Sequence, residues 1–282
     1  MRLFLLTGLT MIAFAANSVL NRMALAGGSI DAVSFGLIRL VSGAVMLALL
    51  CFLLRGGLRL GGAGRLAGVA SLLLYLYGFS TAYRGLDAGL GALILFGVVQ
   101  ITMFAGGLLK SEPMPPRRWI GAGVAFSGLA WLLWPGGGPS ISLVHGLLMA
   151  LAGVGWGIYS LAGQLSRDAL QGTAANFILA APLGVAIGLL LPTMEPTVLT
   201  GQGVILSIIC GAVTSGMGYA LWYSVLPSLA SSVAAVAQLT VPIIATIGGM
   251  LLLSEELSLQ FAIATVLVLG GVAISVLKPR KP

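Results

Sequence analysis

The sequence predicts an all-α membrane protein with ten transmembrane helices, arranged as two inverted five-helix repeats. Three observations predict this fold: the composition, ten apolar segments of spanning length, and motifs shared by the two halves of the chain. Of the 282 residues, 59% are hydrophobic and only 7% are charged, whereas soluble proteins carry about 25% charged residues. So few charged side chains cannot cover a soluble surface, and we infer that the apolar excess faces lipid.

Ten segments are long and apolar enough to cross a membrane. A spanning helix needs about 20 mostly apolar residues, because the hydrocarbon core is about 30 Å thick. Helices are favoured over barrel strands because the apolar runs are continuous and a helix satisfies its own backbone hydrogen bonds in lipid. The predicted spans are Leu3–Leu20, Ala32–Leu54, Leu66–Tyr83, Ala88–Leu109, Trp119–Trp134, Val144–Leu165, Thr173–Leu191, Gly203–Leu226, Ser231–Leu253 and Leu259–Leu277.

The distribution of basic residues between these spans predicts the orientation of the chain. Eleven Lys or Arg lie at the two termini and in the second, fourth and sixth gaps, whereas the opposite gaps hold only Arg22 and Arg84. The positive-inside rule therefore places both termini in the cytoplasm. Basic residues confined to short gaps indicate membrane orientation and not a nucleic-acid partner.

The two halves of the chain correspond as an internal repeat, over residues 1–137 and 144–282. Gly8–Met11 matches Gly146–Met149, and Gln100–Thr102 matches Gln238–Thr240, both at a spacing of 138 residues. The first segment has features of a cleaved signal peptide, but the repeat needs it to match the sixth helix, so we expect it to be retained. Because each half has five helices, the second half enters the membrane from the opposite side. Inverted repeats of this kind are typical of secondary transporters.

Further matching residues carry a resemblance to a known family. Ser111–Glu112 and Ser254–Glu255 follow helices four and nine, each with a later Gly-x-Ala, and Tyr219–Tyr223 leads to Pro242. These features resemble the EamA-like, ten-helix branch of the drug/metabolite transporter superfamily. Within that branch the chain is most similar to YddG-type exporters, which implies export of amino acids, including aromatic ones. The first half has Phe104 where the second has Pro242, which leaves the bend of helix four open.

Several chemistries are missing from the predicted spans. None of them contains Asp or Glu, and a membrane-buried acid is the usual proton carrier of a pump. The sequence has no phosphate-binding loop for ATP, and its single His145 leaves no in-membrane base for a serine nucleophile. We therefore expect no enzyme activity, no cofactor and no metal.

Uncharged polar and aromatic residues remain as candidates for substrate binding. Gln100 and Gln238 occupy matching mid-helix positions, where an amide needs a partner or a wet cavity; the alternative is hydrogen bonding between helices. Aromatic pairs at helical spacing either contact substrate or fill helix interfaces. Arg39 lies inside a span and either anchors a substrate carboxylate or snorkels and caps helix carbonyls. The aromatic candidates are Trp156, Tyr159, Tyr219, Tyr223 and Tyr77.

The sequence thus predicts a secondary transporter that exports small neutral metabolites by alternating access without ATP, with amino acids as the favoured class. Two alternatives stay open: export of another class, such as nucleosides, sugars or lipophilic compounds, and a membrane-embedded enzyme. The expected partners are a small-molecule substrate and the lipid bilayer. The oligomeric state is left open, and one chain suffices for a pathway.

Mid-span Gly97, Gly218 and Pro242 are expected to break helices and turn backbone dipoles toward a cavity.

Overall fold

The computed structural model describes residues 1–109, 111, 115–134, 142–164, 166–190, 197–229 and 231–276. Within these ranges the regular secondary structure is helical, and the connections include one isolated bridge between Ile30 and Leu199. The helices are α1 Arg2–Ala26, α2 Ala32–Arg55, α3 Arg65–Ala82, α4 Ala88–Leu109, α5 Pro116–Leu133, α6 Leu143–Gly163, α7 Ala169–Leu190, α8 Gly201–Ile208, α9 Gly218–Val225, α10 Ser231–Gln238, α11 Thr240–Leu253 and α12 Leu259–Val276.

Eight candidate membrane spans are present in the described ranges. They are α1, α2, α4, α6, α7, the continuous run Gly201–Ser228, the run Val236–Leu253 and α12. The helices α3 and α5 have 18 residues each, but arginines at their first turns lower their mean hydropathy. The predicted all-helical membrane class is confirmed, whereas the count of ten spans stays a prediction that depends on α3 and α5.

Most helix ends lie close to the predicted ones, and local chemistry explains them. Asp31 caps α2 by accepting a hydrogen bond from the Ser34 N–H at 2.9 Å, as short polar side chains do at helix N-termini. Gly56 ends α2 at a φ of 70°, a conformation that glycine adopts without steric cost. Helix α1 continues to Ala26 and not to Leu20, because polar Asn21 is fully buried among other helices.

The second half contains two interruptions that the first half lacks. A π-helical segment, Ile209–Met217, joins α8 to α9 without a break; Gly218 marks its end. Helix α10 stops at Gln238, since Pro242 has no N–H to donate to the Gln238 carbonyl and its ring clashes there. Helix α4, with Phe104 at the equivalent position, is uninterrupted. The expected break at Gly97 is therefore wrong. Instead, the absence of a side chain at Gly97 allows Leu129 and Val268 to pack closely against α4.

The helices pack across the two halves. Helix α2 packs on α7, α4 on α11 and α5 on α12, while α3 lies along α6 and α1 lies along the α8–α9 run. Helix α2 is 24 residues long, which is about 36 Å, and its ends define the two ends of the molecule. The Glu255 end comprises residues 27–31, 84–88, 198–200 and 254–256, where Thr200 N–H donates to Ser29 at 3.1 Å. The Asp168 end comprises residues 56–64 and 166–169, where Arg55 donates to Asp168 at 2.6 Å.

Candidate functional site

A central cavity of about 460 Å³ lies between the two halves and opens at the Asp168 end. Small-molecule sites commonly measure about 300–1,000 Å³. Five of the eight sequence-predicted residues line it: Gln100, Trp156, Tyr219, Tyr223 and Gln238. The other lining residues are Phe14, Val99, Met103, Ser160, Gly163, Gln164, Ala169, Trp222, Leu226, Leu229 and Ala234.

Aromatic side chains form the closed inner wall of this cavity. The Trp156 ring stacks on Tyr159 at 5.2 Å between centroids and 20° between planes, and it meets Tyr219 at 5.0 Å. From α1, Phe14 contacts Tyr219 and Trp222 edge-on, at 5.8 and 6.0 Å. Such geometries add to the free energy of burial, so the wall is a preformed apolar surface.

The two predicted glutamines supply polarity to the opposite side of the cavity. Gln100 and Gln238 are both half-buried, on α4 and at the end of α10. Each amide offers donors and an acceptor, and the break at Leu239 leaves backbone groups beside Gln238 outside the regular helical pattern. The cavity therefore combines amide and backbone polarity with an aromatic wall.

None of the residues that line the central cavity is charged. The described acidic residues Asp31, Asp87, Asp168, Glu255 and Glu256 all lie outside the helices. A fixed charge in the cavity would favour ions of the opposite sign. The described lining residues therefore place no fixed charge in the central cavity.

A small chamber of about 20 Å³ lies beyond Trp156 and Tyr219, and Tyr75 and Asn17 line it. Tyr75 OH accepts a hydrogen bond from Asn17 Nδ2 at 3.2 Å and one from Arg39 Nη2 at 2.9 Å. The aromatic wall is thus backed by a buried polar network that joins α1, α2 and α3.

Arg39 belongs to this network and does not line the central cavity. Its side chain is fully buried, Nε donates to Ser215 Oγ at 3.2 Å, and the guanidinium lies 5.0 Å from the centre of the Phe79 ring. It does not reach the surface and donates to no carbonyl among the described residues, so the snorkelling and capping interpretations do not describe it there. The structure places Arg39 behind Tyr75, one residue away from the chamber.

Two further sequence candidates lie outside the central cavity. Tyr159 is buried behind Trp156 and lines a narrow cleft with Arg65 and Asn176. Tyr77 points elsewhere: its hydroxyl donates to the Gly184 carbonyl at 3.1 Å. Residues two apart on a helix differ by about 200° in direction, so it is Tyr75, not Tyr77, that faces the chamber.

Sequence reasoning missed the ionic cluster that closes the Glu255 end. Arg22 donates to Glu255 Oε1 and to Asp87 Oδ1, both at 3.2 Å, and the Ala88 N–H donates to Glu255 Oε2 at 2.9 Å. Burial raises the pKa of Glu255 above its ordinary value; the Asp87 carboxylate also raises it, and the bonds from Ala88 and Arg22 lower it by less. The sequence indicated only that Arg22, Asp87 and Glu255 lie in gaps on the same predicted side of the membrane.

Comparison with known proteins agrees with the helical architecture. A model of the EamA-like transporter family matches residues 145–277. The chain is 45% identical to the uncharacterized protein PA1977 of Pseudomonas aeruginosa over 286 residues, covering 99% of this chain and 96% of that protein. A protein of known crystal structure shares the fold with a TM-score of 0.60 and 20% identity, covering 94% of this chain and 96% of that one. The second half of the chain therefore matches the EamA-like transporter family, whereas the relative that aligns with the whole chain is uncharacterized.

Proposed function

We propose that this transporter exports small neutral metabolites, with amino acids, including aromatic ones, as the favoured class. The observation that carries this proposal is the central cavity, which is uncharged, about 460 Å³ in volume and lined by five predicted binding residues. Gln100 and Gln238 would bind the polar groups of a zwitterion. Trp156 and Tyr219 would contact its side chain. The resemblance to YddG-type exporters supports the same substrate class.

We propose further that the halves are inverted repeats of five helices each. In the described chain, the two non-glycine residues with positive φ are Ser111 at 56° and Ser254 at 55°. These serines are repeat counterparts. In the proposed repeat, α3 corresponds to the α8–α9 run and α6 corresponds to α1. The packing of α3 on α6 therefore has a counterpart in the packing of the α8–α9 run on α1, and both contacts are present. The repeat units of this proposal are residues 1–137 and 144–282.

Alternating access follows from this arrangement. The central cavity opens at the Asp168 end, where Gly163, Gln164 and Ala169 form its rim. The Glu255 end is closed by the ionic cluster and by α4 packed on α11. Rocking of one half against the other would close the first end and open the second. One chain contains this whole pathway.

We propose the bacterial inner membrane as the location, with both termini in the cytoplasm. The basis is the excess of Lys and Arg on one side of the predicted spans. In that orientation the Asp168 end faces the cytoplasm. The structure then represents the state that loads substrate for export.

Flux in proteoliposomes tests the substrate class and the energy source together. We expect labelled neutral amino acids to move down their gradient without ATP, with unlabelled aromatic amino acids competing most strongly. Competition by nucleosides, sugars or lipophilic compounds alone would assign the cavity to one of those classes instead. Accumulation that strictly requires an imposed pH gradient would contradict facilitated movement.

A further inference from the structure

A second cavity lies at the Asp168 end, outside the central cavity, with a volume of about 700 Å³. It is formed by the α2–α3 connection and the start of α7. Four arginines line it, Arg55, Arg59, Arg65 and Arg167, and Asp168 is the one acidic residue among its lining residues. We call it the arginine pocket. Its lining carries an excess of positive charge.

Only part of this charge is neutralised inside the protein. Arg55 pairs with Asp168, and Arg65 Nη1 donates to the Gly172 carbonyl at 2.6 Å. Arg65 Nε is buried without a hydrogen-bond acceptor in the described ranges. The guanidinium groups of Arg59 and Arg167 have no ion pair or hydrogen bond within those ranges either. The unused donors that a ligand in the pocket could reach are therefore those of Arg59 and Arg167, because Arg65 also donates to Asn176 Oδ1 and to the Gly61 carbonyl.

The wall between these arginines is preformed backbone. Glycines 56, 57, 61 and 62 line the pocket, and the absence of side chains leaves the peptide groups accessible. Gln171 holds the loop in place: its Nε2 donates to the Gly57 carbonyl at 2.7 Å, and its Oε1 accepts from the Arg59 N–H at 2.9 Å. Membrane orientation requires arginines in this connection, but it does not require them to converge on one concave pocket.

We propose that the arginine pocket binds a phosphate-bearing anion, with the headgroup of an anionic phospholipid as the favoured source. Planar guanidinium groups bind phosphate oxygens in a bidentate manner, and basic pockets at helix ends bind lipid headgroups. The neighbouring Leu53 and Leu54 of α2 are 71% and 59% exposed, so acyl chains could lie along that helix. A soluble phosphate compound has the same chemistry and is the other source.

The location gives such a ligand a structural consequence. The pocket joins residues 55–65 of the first half to residues 166–172 of the second half. A bound phosphate would bridge Arg59 of the first half and Arg167 of the second half. We therefore expect occupancy to stabilise the folded chain and to hold the halves together at the Asp168 end.

Native mass spectrometry and thermal unfolding of the full chain in detergent test the proposal. Phosphatidylglycerol should bind and raise the unfolding temperature more than phosphatidylcholine does. The double variant Arg59→Gln/Arg167→Gln should lose about tenfold or more in phosphatidylglycerol affinity, since charge-assisted hydrogen bonds are lost. The exposed control Arg2→Gln should bind like the unchanged protein, and Arg59→Lys/Arg167→Lys should retain intermediate affinity.

Inorganic phosphate and glycerol 3-phosphate distinguish the two sources. No competition by either supports the lipid headgroup, whereas displacement of phosphatidylglycerol at comparable concentrations supports a soluble phosphate ligand. Equal binding of phosphatidylglycerol by the double Gln variant and the unchanged protein would overturn the proposal. If that variant does not fold, equal stabilisation of the unchanged protein by phosphatidylglycerol and phosphatidylcholine would overturn it instead.

Discussion

Each end of the molecule has an ion pair between an arginine and a carboxylate, but the two pairs differ in their exposure to solvent. At the Glu255 end, the Arg22 and Glu255 side chains are 20% and 10% exposed; at the Asp168 end, those of Arg55 and Asp168 are 47% and 33% exposed. Water and salt screen the second pair more strongly. The comparison indicates that the ion pair at the Glu255 end is held in a largely closed environment, while the pair at the Asp168 end is open to water and can separate at little cost.

Two glycines, Gly89 and Gly163, differ in the same way. A Cβ on Gly89, at the Glu255 end, would collide with the side chain and backbone of Thr246, so α4 and α11 touch there. A Cβ on Gly163, at the rim of the central cavity, would meet no atom within 4 Å. Close helix contact is therefore present between α4 and α11 at Gly89 and absent at the rim of the central cavity at Gly163.

The largest expected effect comes from adding one methyl group at each end. Gly89→Ala forces α4 and α11 apart and should cost about 1–3 kcal/mol of unfolding free energy, as overpacking usually does. Gly163→Ala adds the same group to open space and should leave stability nearly unchanged. Thermal unfolding in detergent measures both; equal losses would show that the two ends are packed alike.

Removal of the arginine from each ion pair should have the next largest effect. Arg22→Gln leaves the Glu255 carboxylate buried with a weaker partner and should cost about 1–2 kcal/mol. Arg55→Gln removes a solvent-exposed pair and should change the unfolding temperature little. Chemical denaturation of the two variants side by side checks this, and a greater loss for Arg55→Gln would show that the exposed pair contributes more to stability than the buried one.

A substitution in the central cavity should have a smaller effect, and it should change transport and not stability. Gln238→Leu removes an amide that we place against the substrate, and the KM for a transported amino acid should rise about fivefold, the equivalent of one hydrogen bond of about 1 kcal/mol. Gln202→Leu, an exposed change at the start of α8, is the matched control. Flux kinetics in proteoliposomes distinguish them, and an unchanged KM in both would place the binding site elsewhere.

The smallest expected effect is a pH dependence at the Glu255 end. The pKa of Glu255 is raised by burial in the closed arrangement, whereas an opened end would return the carboxylate to water and to its ordinary pKa. The closed form then binds a proton more tightly, so acidification toward the ordinary carboxylate range should favour closure and neutral pH should weaken it.

Spin labels at exposed Leu199 and Leu257 can follow the pH dependence as a distance distribution. A shift toward shorter distances as the pH falls from 7 to 5, absent in Glu255→Gln, is the expected result. Opening in acid would mean that the ion pair with Arg22 dominates over burial.

The sequence predicts much of the fold because long apolar runs determine helices by local physics. Ala88–Leu109 is a helix with the predicted bounds, and Gln100, Trp156 and Gln238 line one cavity, while their role in substrate binding stays a prediction. Tyr77 lies outside the central cavity because the rotation of α3 is set by its neighbours, not by its own sequence pattern. No local signal pairs Arg22 with Glu255 across 233 residues.

Thiol labelling of a single cysteine at position 238 tests most directly whether the centre of the protein is a water-filled cavity that binds substrate. The native Cys51 and Cys210 are fully buried, so their background reaction should be slow. We expect Gln238→Cys to react with a membrane-impermeant reagent supplied to the Asp168 end, and a transported amino acid to slow that reaction. A cysteine there as unreactive as Cys210, or one that substrate does not protect, would contradict the account.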